Sequence, residues 1–235
     1  MKDLLRFFIG YDEREPIAYH TLCHSILARA SCPVSFTPLV QSALRSTGLY
    51  TRDRNPLEST AFSFTRFLVP ALCNYRGPAI FMDCDFLCRA DVAELHNIID
   101  EQRHTAVLCC QHDYQTTQTV KFLGQVNVPY PRKNWSSFMI FNTARCTALT
   151  PPRVNILSGL ELHRFSWLRE DELGTVPLGW NHLVGEYAKN ADAQMVHFTL
   201  GGPWFKEYET CDYADEWFRE AEALLHPQVN AGVPS

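Results

Sequence analysis

The run Ile80-Phe81-Met82-Asp83-Cys84-Asp85-Phe86-Leu87 constrains this chain more than any other segment. Ile80 to Met82 and Phe86-Leu87 read as strand buried in a core, where uncompensated carboxylates cost several kcal/mol. Two aspartates one residue apart interrupt that run. On a strand, residues i and i+2 face the same side, so Asp83 and Asp85 present both carboxylates together unless the strand ends between them. Their repulsion is relieved if both ligate a hard cation such as Mg²⁺ or Mn²⁺, which prefers carboxylate oxygens and can bridge to a diphosphate. The competing reading is a solvated turn after a strand, where Asp is an ordinary residue.

The segments around this run alternate between strand and helix patterns. Leu4 to Gly10 is an apolar run ending in Gly, followed by a polar turn and an amphipathic stretch from Pro16 to about Ala30. Val34 to Val40 is a second strand. Ser63 to Cys73 is a helix stopped before Gly77-Pro78, and Ala79 to Met82 is a third strand. Asp91 to Asp100 reads as a helix and Ala106 to Cys110 as a buried strand. In open α/β sheets ligands collect beyond the carboxyl ends of strands, where Tyr11-Asp12, Asp83-Cys84-Asp85 and His112-Asp113 all fall. Gln115 to Asn134 lacks periodicity and reads as a long loop of the kind that shapes substrate choice, with Tyr130 and the nearby Trp135 able to stack on a sugar or simply to pack.

Composition narrows the class. At 235 residues and 46% hydrophobic composition the chain can bury a substantial core, and one domain over residues 1–225 is expected. An amphipathic helix from Glu216 to Leu225 and a flexible Pro/Gly tail over 226–235 close it. The net charge of −5 speaks against nucleic-acid partners. The short run Met1 to Gly10, soon followed by Asp12, Glu13 and Arg14, is expected to be a first strand and neither a signal peptide nor a transmembrane segment. Nine cysteines with no C-x-x-C pair fit free thiols in a cytoplasmic setting and lack the usual spacing of a zinc site.

The second half adds polar candidates. Trp135 to Asn142 is strand-like and closes on an amide that serves equally as turn residue or ligand. Arg169-Glu170-Asp171-Glu172 is a charge cluster shortly before Pro177-Leu178-Gly179-Trp180-Asn181. His197 follows the apolar Met195-Val196 and leads into Gly201-Gly202. That turn can expose N–H groups to phosphate, while the imidazole can complete a metal shell.

Five segments in this order resemble the GT-A nucleotide-sugar glycosyltransferases, in particular glycosyltransferase family 8, over roughly residues 4 to 205. They are Phe7 to Asp12, Phe64-Thr65-Arg66-Phe67, Phe81 to Asp85, Leu178 to Asn181, and His197 to Trp204. The resemblance implies an α/β, Rossmann-like fold with a mainly parallel central sheet flanked by helices. It implies Mn²⁺ or Mg²⁺ held by Asp83, Asp85 and His197, a nucleotide diphosphate sugar donor with uridine as the base, and transfer with retained anomeric configuration. Gly10, Tyr11 and Asp12 would line the nucleoside, and Arg66 would lie near the donor sugar and phosphates. Asn142, Trp180, Asn181, Gly201 and Gly202 complete the expected donor surroundings. Asp171, or else Glu170 or Glu172, falls where the family has an acid at the sugar pocket. The acceptor, whether glycan, lipid-linked or small molecule, is not implied.

One departure stands out. The family carries a lysine shortly before the Pro-Trp that follows the histidine, where it neutralises the leaving diphosphate. This chain has Gly202 there, leaving Lys206 or Lys133 as substitutes. Three other classes compete. A haloacid dehalogenase-like phosphatase shares Asp-x-Asp but places it on its first strand, with Thr or Val where Leu87 stands. A nucleotidyltransferase would have a Gly-rich basic loop in place of Tyr11-Asp12-Glu13-Arg14. A non-catalytic nucleotide-sugar binding protein would keep the fold and bind a donor without consuming it.

Overall fold

The computed structural model describes residues 3–53, 60–113, 120–121, 124–126 and 131–226. Most of the expected long loop, Tyr130 included, and the tail from residue 227 lie outside the described residues. The elements run β1 (Leu5–Gly10), α1 (Pro16–Leu27), β2 (Val34–Leu39), α2 (Gln41–Ser46), α3 (Val69–Leu72), β3 (Pro78–Met82) and β4 (Phe86–Cys88). Next come α4 (Leu95–Glu101), β5 (Val107–Cys109), β6 (Val120–Lys121), β7 (Gln125–Val126), β8 (Phe138–Asn142), α5 (Pro151–Ile156) and α6 (Gly159–His163). The chain closes with β9 (Leu173–Thr175), β10 (His182–Leu183), β11 (Met195–His197) and α7 (Ala214–Leu225).

A six-stranded sheet in the order β2-β1-β3-β8-β5-β9 forms the centre. All its pairings are parallel except those of β8, which runs against both β3 and β5. The strands that read as unbroken apolar runs are covered on both faces, as a mostly parallel sheet requires. Phe7, Ile9, Phe81, Met82, Phe138 and Phe141 are all fully buried. The expected helix over Ser63 to Cys73 is shorter: a 3₁₀ turn, Thr65–Leu68, passes directly into α3, with Pro70 in its first turn. Proline there lacks an N–H that the helix would leave unpaired anyway.

The run containing the two aspartates is not one strand. β3 ends at Met82, the chain bends through Asp83-Cys84-Asp85, and β4 belongs to a second sheet of order β10-β11-β4. The i, i+2 geometry of a continuous strand therefore does not apply. The carboxylates sit in the turn that hands the chain from one sheet to the other.

β8 opposes its neighbours, so its first residue, Phe138, meets the carboxyl end of β3 at Met82, whereas Asn142 pairs with Pro78 at the far end. Asn142 thus lies across the sheet from the aspartates, where its Nδ2 donates to the Arg103 carbonyl. Gly10 ends β1 beneath the ring of the buried Phe62, which a Cβ at that position would strike. It is a close-packing glycine, since the Phe62 ring stands where a side chain would be. Gly10→Ala is expected to destabilise the fold by about 1–3 kcal/mol through overpacking, read as a lower urea midpoint with an unchanged slope.

Candidate metal centre

Asp83, Asp85 and His197 each offer a ligand atom, and these atoms lie within 4.8 Å of one another. Topology explains the third member. β11 runs antiparallel to β4 with His197 opposite Phe86, and the Phe198 N–H donates to the Asp85 carbonyl over 2.8 Å. The imidazole stacks on the Phe86 ring at 4.3 Å between centroids and is 2% exposed.

Hydrogen bonds fix which imidazole nitrogen faces the aspartates. Asn181 Nδ2 donates to the Asn134 carbonyl and to Ser137 Oγ, and because a carbonyl only accepts, Asn181 Oδ1 must face His197 Nδ1, 2.9 Å away. Nδ1 therefore carries the hydrogen. In the neutral ring Nε2 points a lone pair at Asp85 Oδ1, at 3.3 Å. Among the described residues no donor hydrogen-bonds that buried oxygen. Two acceptors facing each other call for a proton or a cation between them. The set of two carboxylates and an imidazole suits Mn²⁺ or Mg²⁺, so the residues fit the ion.

Arg66 supplies fixed positive charge beside the cluster. Its Nη1 lies 2.9 Å from Asp83 Oδ1 and donates to the Ser136 carbonyl at 2.8 Å, while Nε donates to the Phe62 carbonyl. The guanidinium also rests over the Phe81 ring at 4.8 Å. Ser136 Oγ is 2.7 Å from Nδ1 of His163, a half-buried ring whose pKa is pushed down to about 3, first by burial and then by the Arg66 charge.

Other expected residues are placed differently. Asp12 lies at the end of β1, but its carboxylate accepts from the Arg14 backbone and guanidinium and from the Ala61 N–H. Burial opposes its ionisation, yet those bonds prevail and hold its pKa below the usual range. Asp12 thus ties two loops together. Tyr11 is half-buried, edge-on to Tyr19. Trp180 belongs to the main core, whereas its neighbour Asn181 orients the metal-facing histidine.

Asp171 does not join the site. It precedes β9, and since β9 is parallel to β5 this is the edge opposite the carboxyl ends. There it pairs with Arg169 in an exposed cluster. Glu170 pairs with Arg132, and Glu172 approaches Arg169.

The missing lysine has a structural counterpart. The Trp204 ring lies where any Cβ at Gly202 would stand, so no side chain fits there. Gly201, at φ +142°, spends its N–H on the Phe198 carbonyl rather than on a ligand. Lys206 is exposed in a short 3₁₀ turn beyond Trp204, and Lys133 is half-buried before Asn134. Trp204 Nε1 donates to Glu15, whose other oxygen accepts from Cys84 Sγ between the two aspartates. Burial, then the charges of Asp85 and Asp12, push the Glu15 pKa up to about 8. Sequence reading passed over Glu15 although it follows β1 at the same strand end as Asp12. His163 gave no signal, because only the tertiary fold brings it to Ser136.

A mostly parallel sheet with an acidic turn beyond its third strand and a histidine returning from a second sheet is the GT-A glycosyltransferase architecture, and the chain has that fold. The WbbM bifunctional glycosyltransferase aligns with a TM-score of 0.66 at 15% identity, over 94% of this chain and 50% of that one. GlyE of Streptococcus pneumoniae TIGR4 aligns at 0.60 and 12%, over 92% and 60%. This chain thus spans about half of the first and three-fifths of the second. The galactosyltransferase LgtC, solved with donor and acceptor sugar analogs, aligns at 0.53 and 10%, over 98% of both chains. No family model matches the sequence. The chain is 47% identical over 228 residues to Protein CDI of Arabidopsis thaliana, covering 94% of this chain and 87% of that protein, and it belongs to the Protein CDI family.

The histidines whose pKa is lowered give a pH signature. The folded protein keeps His163 neutral where an unfolded chain would protonate it near 6.5, so its contribution to stability is complete above that pH and is lost as pH falls toward 3. His112, lowered to about 3 by burial and then by His197 and His182, acts in the same direction. The urea midpoint of His163→Gln should therefore fall less steeply than that of wild type between pH 7 and pH 4. Parallel curves would contradict this assignment.

Proposed function

We propose that this protein moves a sugar from a nucleotide diphosphate sugar, with uridine as the base, to a hydroxyl acceptor, using Mn²⁺ or Mg²⁺ held by Asp83, Asp85 and His197. The observation that carries this reading is the convergence of three ligand atoms within 4.8 Å at the carboxyl edge of a GT-A sheet. The glycosyltransferase names of the aligned structures support the donor class.

When bound, the cation would stabilise charge on the departing nucleoside diphosphate as a Lewis acid. The chain's own residues prepare that role. Arg66 holds Asp83 in place, and Asn181 fixes the His197 tautomer so that Nε2 faces the ligand set. Phe86 stacks on His197, and Phe81 and Phe62 lie against the Arg66 guanidinium, so aromatic rings back the charged groups of the site. Asp171 has no part in this reading, and retention of configuration is proposed without a covalent carboxylate there. Asp83 is paired to a buried arginine, which suits a ligand better than the nucleophile of a phosphatase. All nine cysteines are free thiols, which supports a reducing, cytoplasmic setting. Among the described residues no helix is long and apolar enough to cross a membrane.

A second reading rests on Trp204. With its ring over Gly202 there is no room for the lysine that neutralises diphosphate in the family resembled, so a donor-binding protein without turnover is the alternative. A screen of nucleotide sugars with and without Mn²⁺ separates the two, since both predict metal-dependent thermal stabilisation but only transfer predicts release of nucleoside diphosphate. In the first case Asp83→Ala with Asp85→Ala should lower turnover by roughly 10³-fold or more, equivalent to about 4 kcal/mol. Undiminished activity in the double variant would refute the metal assignment.

A further inference from the structure

We propose that Ser137 is the positioning residue of the metal centre, holding the Asp83 arm and the His197 arm in one geometry. The inference rests on the metal reading above and extends it to a residue that offers no ligand atom.

Two independent bonds meet at this serine. The Asp83 N–H donates to the Ser137 carbonyl over 2.9 Å, one step beyond the β3–β8 pairing of Met82 with Phe138. The backbone of the first ligand is therefore registered against the turn that opens β8. On the other side, Ser137 Oγ accepts from Asn181 Nδ2 at 2.9 Å and donates to the Asn134 carbonyl at 2.7 Å. Asn181 also reaches that same carbonyl at 3.3 Å. Because Asn181 sets the hydrogen on His197, the Ser137 hydroxyl, whose own hydrogen goes to the Asn134 carbonyl, joins that carbonyl in fixing which nitrogen faces the metal position. Ser137 is 2% exposed and Asn181 fully buried, so neither bond faces bulk solvent.

The turn that carries Ser137 is itself restrained. Asn134 sits at φ +64°, a left-handed conformation that needs support. Ser136 gives its carbonyl to Arg66, which also pairs with Asp83, and its hydroxyl contacts His163. Removing the Ser137 hydroxyl would leave Asn181 Nδ2 with only its longer bond to the Asn134 carbonyl, loosening the grip of the amide on His197. His197 would then be held less firmly in the orientation that turns Nε2 to the metal position. Asp83 and Asp85, both held through main-chain bonds, would stay in place.

The test measures Mn²⁺ affinity by calorimetry, with the melting temperature of the metal-free protein as a control for folding. Ser137→Ala should raise the Mn²⁺ Kd about 10- to 100-fold, the usual effect of losing a group that orients a metal ligand. Ser137→Thr, which keeps the hydroxyl, should restore most of the affinity. A role confined to stability would lower the melting temperature and leave the Kd unchanged, and that result overturns the proposal. Should Ser137→Ala not fold, Ser137→Cys, whose thiol is a poor acceptor, replaces it: a raised Kd supports the proposal and an unchanged one overturns it. Wild-type protein that binds no Mn²⁺ would overturn the metal reading and this inference together, whereas wild-type binding with equal affinity in the serine variants overturns this inference alone.

Discussion

His197 Nε2 and an oxygen of Asp85 face each other at 3.3 Å inside the protein, with the Asp83 carboxylate in the same cluster. Two like charges about 4 Å apart repel by roughly 4 kcal/mol at the effective dielectric of a partly buried site. Arg66 offsets this for Asp83 but makes no ion pair with Asp85. The remainder falls on whatever occupies the space between the ligand atoms. This constraint reaches beyond chemistry, because Asp83 to Asp85 is also where the chain passes from the six-stranded sheet to the smaller one. The electrostatics of one turn therefore bear on how the two sheets meet.

Around that turn the polar groups are distributed by role. Those aimed at the metal position are few, and those that aim them are many. Asn181, Ser137, Arg66 and Asp12 are all buried or nearly so, and each has its hydrogen bonds committed to the protein. Buried polar groups of this kind are costly when unpaired and rigid when paired. Glu15 stands between, bridging Cys84 and Trp204 and pressed toward its neutral form by burial and by Asp85. The Trp204 ring then fills the space over Gly202. The loss of a lysine and the presence of this tryptophan contact are two sides of one packing arrangement.

Much of the fold was legible because its inner strands are short, apolar and buried, and α1, α3, α5 and α6 begin at a proline or a capping hydroxyl. β1, β2, β3 and β5 fall where the apolar runs place them, and α1 begins at Pro16. The Asp-x-Asp pair and His197 were legible for a different reason: carboxylates beside an apolar run and a histidine before a glycine turn stand out locally, and the family resemblance joined them into one ligand set. Asn142 and Asp171 were misplaced because residue type and spacing do not reveal strand direction. Asn142 ends the one reversed strand, and Asp171 begins a parallel one, so both lie on the edge away from the site.

The sequence by itself determined the alternating α/β pattern, the three ligand candidates and the departure at Gly202, since each is a local matter of hydrophobic period, charge in an apolar context or absence of a side chain. Only the tertiary structure decided that β3 stops at Met82, that β11 returns His197 beside Asp85, and that Ser137 and Asn181 join the two arms. Those outcomes depend on which strands pair and in which direction. Pairing is set by burial summed over the whole sheet, and no single segment carries that information.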